Sequence, residues 1–227
     1  NFLNSLGINT SSINPKNIKI YGHGGKSLPL LNSETVSNDL IENTIQVIGE
    51  EDGAFNDSDY ILMYAIGPKK FNSDNNSHIN PYSDKSYYYV NISLGNGARM
   101  SIASEPTGNV DVTYNSFHNY KFVESDTYNI AKMGRRWFGH RFYVENVRVF
   151  NFDFPNLITS SPIDLKVYTA AASESNTSMQ LNLNGSNINN FNYSAIDNNI
   201  LGRSRFFSGA VFSNSETIDV ELSFNNN

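Results

Sequence analysis

Hydrophobic and polar residues alternate with a period of two along much of the chain, which is the pattern of half-buried β-strands. The alternation is most regular at residues 179–184 and 218–224, where Met, Leu, Ile, Val and Phe exchange with Gln, Asn, Asp, Glu and Ser. Less regular runs predict further strands at residues 17–21, 86–93, 99–103, 142–154 and 164–169. Because turn residues separate these short strands, the pattern favours sandwiches or barrels over a sheet with crossover helices.

Only one stretch carries a weak helix signal. Ser37 or Asn38 could cap a short helix that runs to Ile45, with Glu42 in its first turns. The sequence therefore predicts an all-β fold with at most one short helix.

Two domains are predicted from the length and the turns. A chain of 227 residues can form two β domains of about 100 residues each. Gly95-Asn96-Gly97 and the Ser-Glu-Pro-Thr-Gly stretch at residues 104–108 are turn sequences of the kind found between strands or domains. We predict an N-terminal β domain over residues 1–103 and a jelly-roll-like β-sandwich over residues 104–227.

Composition excludes several function classes. A net charge of −6 and a pI near 5.2 disfavour nucleic acid as a partner, because Lys and Arg must neutralise its phosphates. The absence of cysteine excludes a disulfide framework, a thiolate metal site and a cysteine nucleophile within this chain. The longest apolar run, residues 60–66, is much shorter than the roughly 20 residues that span a bilayer, so no transmembrane segment is predicted.

A glycine-rich stretch follows the first predicted strand. Gly22-His23-Gly24-Gly25-Lys26-Ser27 ends like a phosphate-binding loop, but the Walker pattern requires a glycine where this chain has Ile20. We interpret the stretch as a turn in which glycine permits a positive φ.

An acidic loop precedes the apolar run and offers oxygen ligands for a hard cation such as calcium. Its spacing differs from an EF-hand, and an Asp-Gly turn followed by Asx turns is the alternative interpretation. The candidate calcium ligands are Glu51, Asp52, Asn56, Asp57 and Asp59.

The only tryptophan, Trp137, follows Arg135 and Arg136 and lies downstream of Glu124 and Asp126. Arg and Trp are enriched at interaction hot spots, so these three residues are a candidate docking surface. In the alternative interpretation, Trp137 fills the core and an arginine pairs with one of the two acids.

No catalytic set is visible. The histidines at positions 23, 78, 118 and 140 are scattered without metal-binding spacing, and no Gly-x-Ser-x-Gly nucleophile motif occurs. We therefore predict that this chain is not an enzyme.

Several segments resemble the N-terminal region of the PorU family, the type IX secretion sortases that are gingipain-type cysteine peptidases of the Bacteroidota. They include Ile-Tyr-Gly-His-Gly-Gly, Asp-Gly-Ala-Phe-Asn, a Tyr-Ile-Leu run ending in Gly-Pro, and Gly-Arg-Arg-Trp-Phe-Gly. The resemblance extends over residues 20–25, 28–29, 39–43, 47–50, 52–56, 59–68, 80–88, 124–129 and 134–139.

The resemblance implies a larger enzyme at the cell surface, on the outer face of the bacterial outer membrane. Such an enzyme removes C-terminal signals from secreted cargo proteins, joins the cargo to lipopolysaccharide and is held by the outer-membrane barrel PorV. The present region would serve as a scaffold and docking module for the gingipain-type catalytic domain and the barrel. The catalytic Cys and His of the family lie downstream, so no catalytic role passes to any residue here.

The resemblance also implies that family members continue beyond the equivalent of Phe224. The regular strand at residues 218–224 either lies in the centre of its sheet or borders a position that further chain fills, and the resemblance favours the second arrangement.

A carbohydrate-binding module is the main alternative function, because β-sandwiches rich in Tyr and Phe often stack sugars on exposed aromatic rings. The chain has 13 Tyr and 15 Phe. An independent hydrolase is a second alternative, but it would need an acid and base pair in a cleft that no motif supplies.

Overall fold

The structure is a computed structural model that describes residues 2–25, 27–29, 31–73, 76–130, 132 and 136–226. With 32% strand and 6% helix, it confirms the predicted all-β fold. Helix α1 is one turn long, Phe2–Ser5, and three short 3₁₀ helices are Thr10–Ser12, Pro15–Asn17 and Glu50–Asp52. The chain divides into two compact units, Asn1–Val112 and Thr113–Asn227.

The first unit contains short antiparallel strands around a small core. Strand β1 (Lys19–Tyr21) lies between β2 (Glu42–Asn43) and β5 (Tyr89–Asn91), and β3 (Gln46–Ile48) pairs with β4 (Tyr60–Leu62). The buried core residues are Leu3, Ile18, Ile20, Ile45 and Val47. Strands this short bury few side chains, so additional polar interactions are needed to fix the unit.

Arg99 supplies those interactions. Its Nε donates to both carboxylate oxygens of Glu50 at 3.1 and 2.9 Å, and its Nη2 donates to one of them at 2.8 Å. The same guanidinium donates to the backbone carbonyls of Pro15, Lys16 and Ile18 at 3.0 to 3.1 Å.

The predicted strand at residues 99–103 is wrong, because Arg99 forms only an isolated bridge with Ile45.

The second unit is a β-sandwich. One sheet has the order β6 (Val147–Asp153), β11 (Thr217–Asn226), β8 (Thr177–Leu183), β9 (Ser186–Tyr193), and the other pairs β7 (Ile163–Ala171) with β10 (Arg203–Val211). All described pairs in these sheets are antiparallel. Inward side chains of both sheets share one core that includes Leu181, Phe191, Val211, Val220 and, half-buried, Val167. The described part of this unit contains six strands, whereas a complete jelly roll contains eight.

Strand β11 lies in the centre of its sheet. It pairs with β6 through Ile218 opposite Phe152 and with β8 through Leu222 opposite Leu181. The expectation that this strand borders an unfilled position is therefore wrong, because two earlier strands occupy both of its edges.

The predicted short helix at residues 37–45 is also wrong. Residues 38 and 39 lie in a bend, and the stretch continues into β2. Ser37 Oγ donates to the Asp39 carbonyl at 3.0 Å, and the Leu40 N–H donates to Asp39 Oδ1 at 2.9 Å. These local bonds compete with helical hydrogen bonding, which is why Ser and Asp disfavour helix interiors.

No helix or strand occurs within residues 101–127, all of which the structure describes. Most side chains of this segment are exposed, including large apolar ones.

Candidate functional site

An isolated antiparallel bridge lies beside Arg136 and Trp137, two of the three residues singled out from the sequence. The Tyr128 N–H donates to the Phe138 carbonyl, and the Phe138 N–H donates to the Tyr128 carbonyl, both at 2.8 Å. Gly139 follows closely against Ser125, since an added Cβ would lie 2.7 Å from Ser125 Oγ. The backbone directly after Trp137 is thus fixed by contacts at Phe138 and Gly139.

Arg136 lies on an aromatic pair at the outer face of the two-stranded sheet. Its guanidinium carbon is 4.6 Å from the centre of the Tyr168 ring, which is within cation–π range. Tyr168 and Phe206 are directly opposite each other on β7 and β10, and their rings stack at 6.1 Å. Successive side chains of a strand point to opposite faces of the sheet. Because Val167 and Phe207 point into the core, Tyr168 and Phe206 point outward.

The surface formed by Arg136, Tyr168 and Phe206 is here termed the aromatic face, and Trp137 follows Arg136 in the chain. Phe206 is 67% exposed, Trp137 44% and Tyr168 40%. Trp137 therefore does not fill the core, so that part of the alternative interpretation is wrong. Its other part, an arginine that pairs with Glu124 or Asp126, agrees with the charge effect of Arg136 on Asp126. Arg135 lies outside the described residues. The assignment of Arg135, Arg136 and Trp137 to docking stays a prediction.

An acidic pair adjoins the aromatic face. Burial raises the pKa of the Asp126 carboxyl, the negative charge of Glu124 raises it further, and Arg136 opposes both effects. Arg136 therefore acts on an acid on one side while it covers Tyr168 on the other.

His140 follows Gly139 in the chain and lies against the sandwich. Its ring meets the Phe150 ring edge-on at 5.0 Å. Burial lowers the pKa of the His140 imidazole, and the positive charge of Arg148 lowers it further. A neutral imidazole is thus favoured beside the β6 edge.

The acidic loop uses its carboxylates to brace its own backbone. Asp52 Oδ1 accepts from the Ala54 N–H at 2.9 Å, and Asp52 Oδ2 accepts from the Asn56 side-chain amide at 3.0 Å. Asp59 Oδ2 accepts from the Asn56 N–H at 2.7 Å. The bond from Ala54 to Asp52 is that of an Asx turn, as the alternative interpretation predicts, and the other two bonds hold the same loop.

No described set of three His, Asp or Glu side chains is grouped so that it could hold a metal ion. Calcium binding by Glu51, Asp52, Asn56, Asp57 and Asp59 stays a prediction.

Tyr168 and Phe206 were missed as candidate surface residues. Residues 164–169 were predicted as a strand, and alternation alone places Tyr168 with Lys166 on the polar side, opposite Val167. Phe206 had no such signal, because the Arg-Ser-Arg-Phe-Phe sequence of β10 does not alternate.

Within the part of the chain that the structure describes, no helix is long and apolar enough to cross a membrane.

Comparison with solved structures finds a likeness in fold. No protein-family model matches the chain, and no curated protein is similar to it. The fold is similar to the crystal structure of dimeric latent PorU from Porphyromonas gingivalis, with a TM-score of 0.63 and 21% sequence identity. The likeness covers 97% of this chain and 21% of that chain, so this chain spans about a fifth of the solved protein. At this identity the likeness establishes the fold.

Proposed function

We propose that this chain is the non-catalytic N-terminal region of a larger cell-surface sortase of the PorU type. Such a sortase removes C-terminal signals from secreted cargo and attaches the cargo to lipopolysaccharide. The observation that carries the proposal is the likeness over 97% of this chain to a PorU chain that is about five times longer. The chain also contains no cysteine, so the nucleophile of a gingipain-type peptidase must lie in another part of the protein.

In this proposal the region is a scaffold that docks the catalytic domain, PorV and passing cargo. The aromatic face supports a docking role, because Arg136 lies on the exposed ring of Tyr168, which stacks on the exposed ring of Phe206. Trp137, next to Arg136 in the chain, is exposed as well. Arg, Trp and Tyr dominate the energetics of protein interfaces, since they bury large areas with little loss of conformational freedom. The similar PorU is a latent form, and in this proposal the present region would also shield the catalytic domain of its own sortase.

Binding of the chain to the separately produced catalytic region of the same sortase tests this role. We expect Phe206→Ala or Arg136→Ala to weaken binding at least tenfold, which is the loss expected at a hot spot. Phe212→Ala is the matched control, because Phe212 is 64% exposed but lies beyond the end of β10 and outside the aromatic face. Equal affinities for the Phe206 and Phe212 variants would contradict docking through this face.

A carbohydrate-binding module is the second candidate, favoured by the exposed stacked pair of Tyr168 and Phe206. Sugar rings stack on such faces. Binding of the isolated chain to glycans or lipopolysaccharide, lost in Tyr168→Ala and Phe206→Ala, would support this candidate over protein docking.

A further inference from the structure

Residues 109–114 have the side-chain pattern of a strand, whereas Phe117, which is 85% exposed, falls on the polar side of the same extended stretch. Asn109, Asp111 and Thr113 alternate with Val110, Val112 and Tyr114, so an extended backbone has one polar and one apolar face. The apolar face is uncovered, with Val110 78%, Val112 62% and Tyr114 86% exposed. Val, Tyr and Thr all favour β structure, and the stretch contains neither Pro nor Gly.

The backbone of this stretch has no ladder. No backbone group of residues 109–117 hydrogen-bonds to any described part of the chain, and no described strand pair includes these residues. An unpaired strand lacks the hydrogen bonds of a sheet, and its apolar face stays in solvent. Neither state agrees with the β pattern of this sequence.

The accessible surface of the chain is larger than that of folded proteins of its mass. The chain exposes 16,312 Å² at a mass of 25.4 kDa. A folded monomer of that mass exposes about 10,300 Å², and two separate domains of half that mass expose about 12,500 Å² together. Even the second comparison leaves an excess of about 3,800 Å² on this chain alone, more than the roughly 1,000–2,500 Å² that each partner of a permanent interface buries.

We propose that residues 109–117 form a β-strand in a sheet completed by polypeptide of the same larger protein, with Val110, Val112 and Tyr114 facing that sheet's core. The inference rests on the proposed function, which places this chain within a sortase about five times its length. The partner is an open antiparallel or parallel sheet edge beside an apolar layer. Asp111 and its neighbours on the polar face then remain in solvent.

A second copy of this chain is the less suitable occupant. Parallel pairing in register would place Asp111 opposite Asp111, and like charges opposite each other are destabilising. Antiparallel pairing about Val112 avoids that contact but covers one short strand, which is far less than the excess surface. The downstream polypeptide of a long protein provides the larger area.

Amide hydrogen exchange of the 227-residue chain and of the full-length native protein tests the inference. We expect amides 109–117 to exchange at least 100-fold more slowly in the full-length protein, because pairing and burial raise the free energy of local opening. Equal exchange in both proteins overturns the inference. Slow exchange in the 227-residue chain, together with concentration-dependent dimerisation, assigns the segment to a second copy and also overturns it.

Two neighbouring substitutions separate the faces of the strand. Val112→Lys introduces a charge on the apolar face, and we expect it to abolish the protection of amides 109–117 in the full-length protein. Asp111→Lys is the matched control on the polar face and should leave that protection within about threefold. Equal effects of the two variants would contradict a strand with one buried face.

The same experiment separates a failure of the proposed function from a failure of the strand inference. If the native protein is no longer than this chain, the proposed function fails and the partner with it. If the native protein is a gingipain-type sortase but amides 109–117 exchange equally fast in both proteins, only the strand inference fails.

Discussion

Replacement of Arg99 by Met should destabilise the first unit by about 3 kcal/mol. The substitution keeps much of the side-chain volume but removes every hydrogen bond of the guanidinium. The Glu50 carboxylate then loses its cation, and the carbonyls of Pro15, Lys16 and Ile18 lose a donor.

The magnitude follows from the burial of the pair. Removal of one partner from a fully buried ion pair costs about 3–5 kcal/mol, whereas an exposed pair is worth about 0–1 kcal/mol. The side chains of Arg99 and Glu50 are 22% and 19% exposed, which favours the lower end of the buried range. A loss of about 3 kcal/mol corresponds to roughly 100-fold faster exchange of the β1 and β3 amides by opening of the unit.

Hydrogen exchange followed by mass spectrometry is the suitable assay, because it resolves peptides of the first unit from those of the second. Arg141→Met is the matched control, since Arg141 is exposed and its replacement should change the free energy of unfolding by less than about 0.5 kcal/mol. The double variant Arg99→Met with Glu50→Leu should be less destabilised than Arg99→Met, because no uncompensated carboxylate remains. If Arg99→Met behaves like Arg141→Met, the guanidinium network does not stabilise the unit.

Three further predictions follow from the site geometry. Because the folded state lowers the pKa of His140, the unfolded state binds more protons as the pH falls through 6.5, so stability is lost in that direction; His140→Gln should flatten the melting temperature between pH 7 and pH 5, and an unchanged slope would contradict the reasoning. Calcium or EDTA should leave the melting temperature unchanged, because the carboxylates of Asp52 and Asp59 already accept bonds within their loop; a rise of several degrees with calcium, abolished by Asp52→Ala, would show a site. The purified chain should hydrolyse no peptide, ester or glycoside, and turnover abolished by a substitution in this chain would refute that.

The most regular strands could be predicted from sequence because each has one buried face. Strands β8 and β11 alternate without interruption, and their apolar side chains are almost fully buried. Strand β9 was missed, because its run of Asn residues reads as a turn. In the structure the turn is confined to Asn184 and Gly185, which both have positive φ and close the hairpin between β8 and β9.

The candidate site could be predicted only in part. The Arg-Trp sequence pointed to Arg136 and Trp137, but alternation along one strand does not reveal which side chain of another strand lies opposite it. The pairing of Tyr168 with Phe206, and the position of Arg136 over their stack, depend on the register between β7 and β10. Register is a tertiary property that a single strand's sequence does not contain.

The native polypeptide that contains this chain provides the most direct test of the central claim. An antibody raised against the 227-residue chain should detect, in cells of the source organism, a surface protein about five times as long, in line with the similar PorU. A thiol-reactive probe for cysteine peptidases should label the same protein, at a cysteine outside this chain. Detection of a 25.4 kDa protein that the probe does not label would contradict the claim that this chain is the non-catalytic region of a sortase.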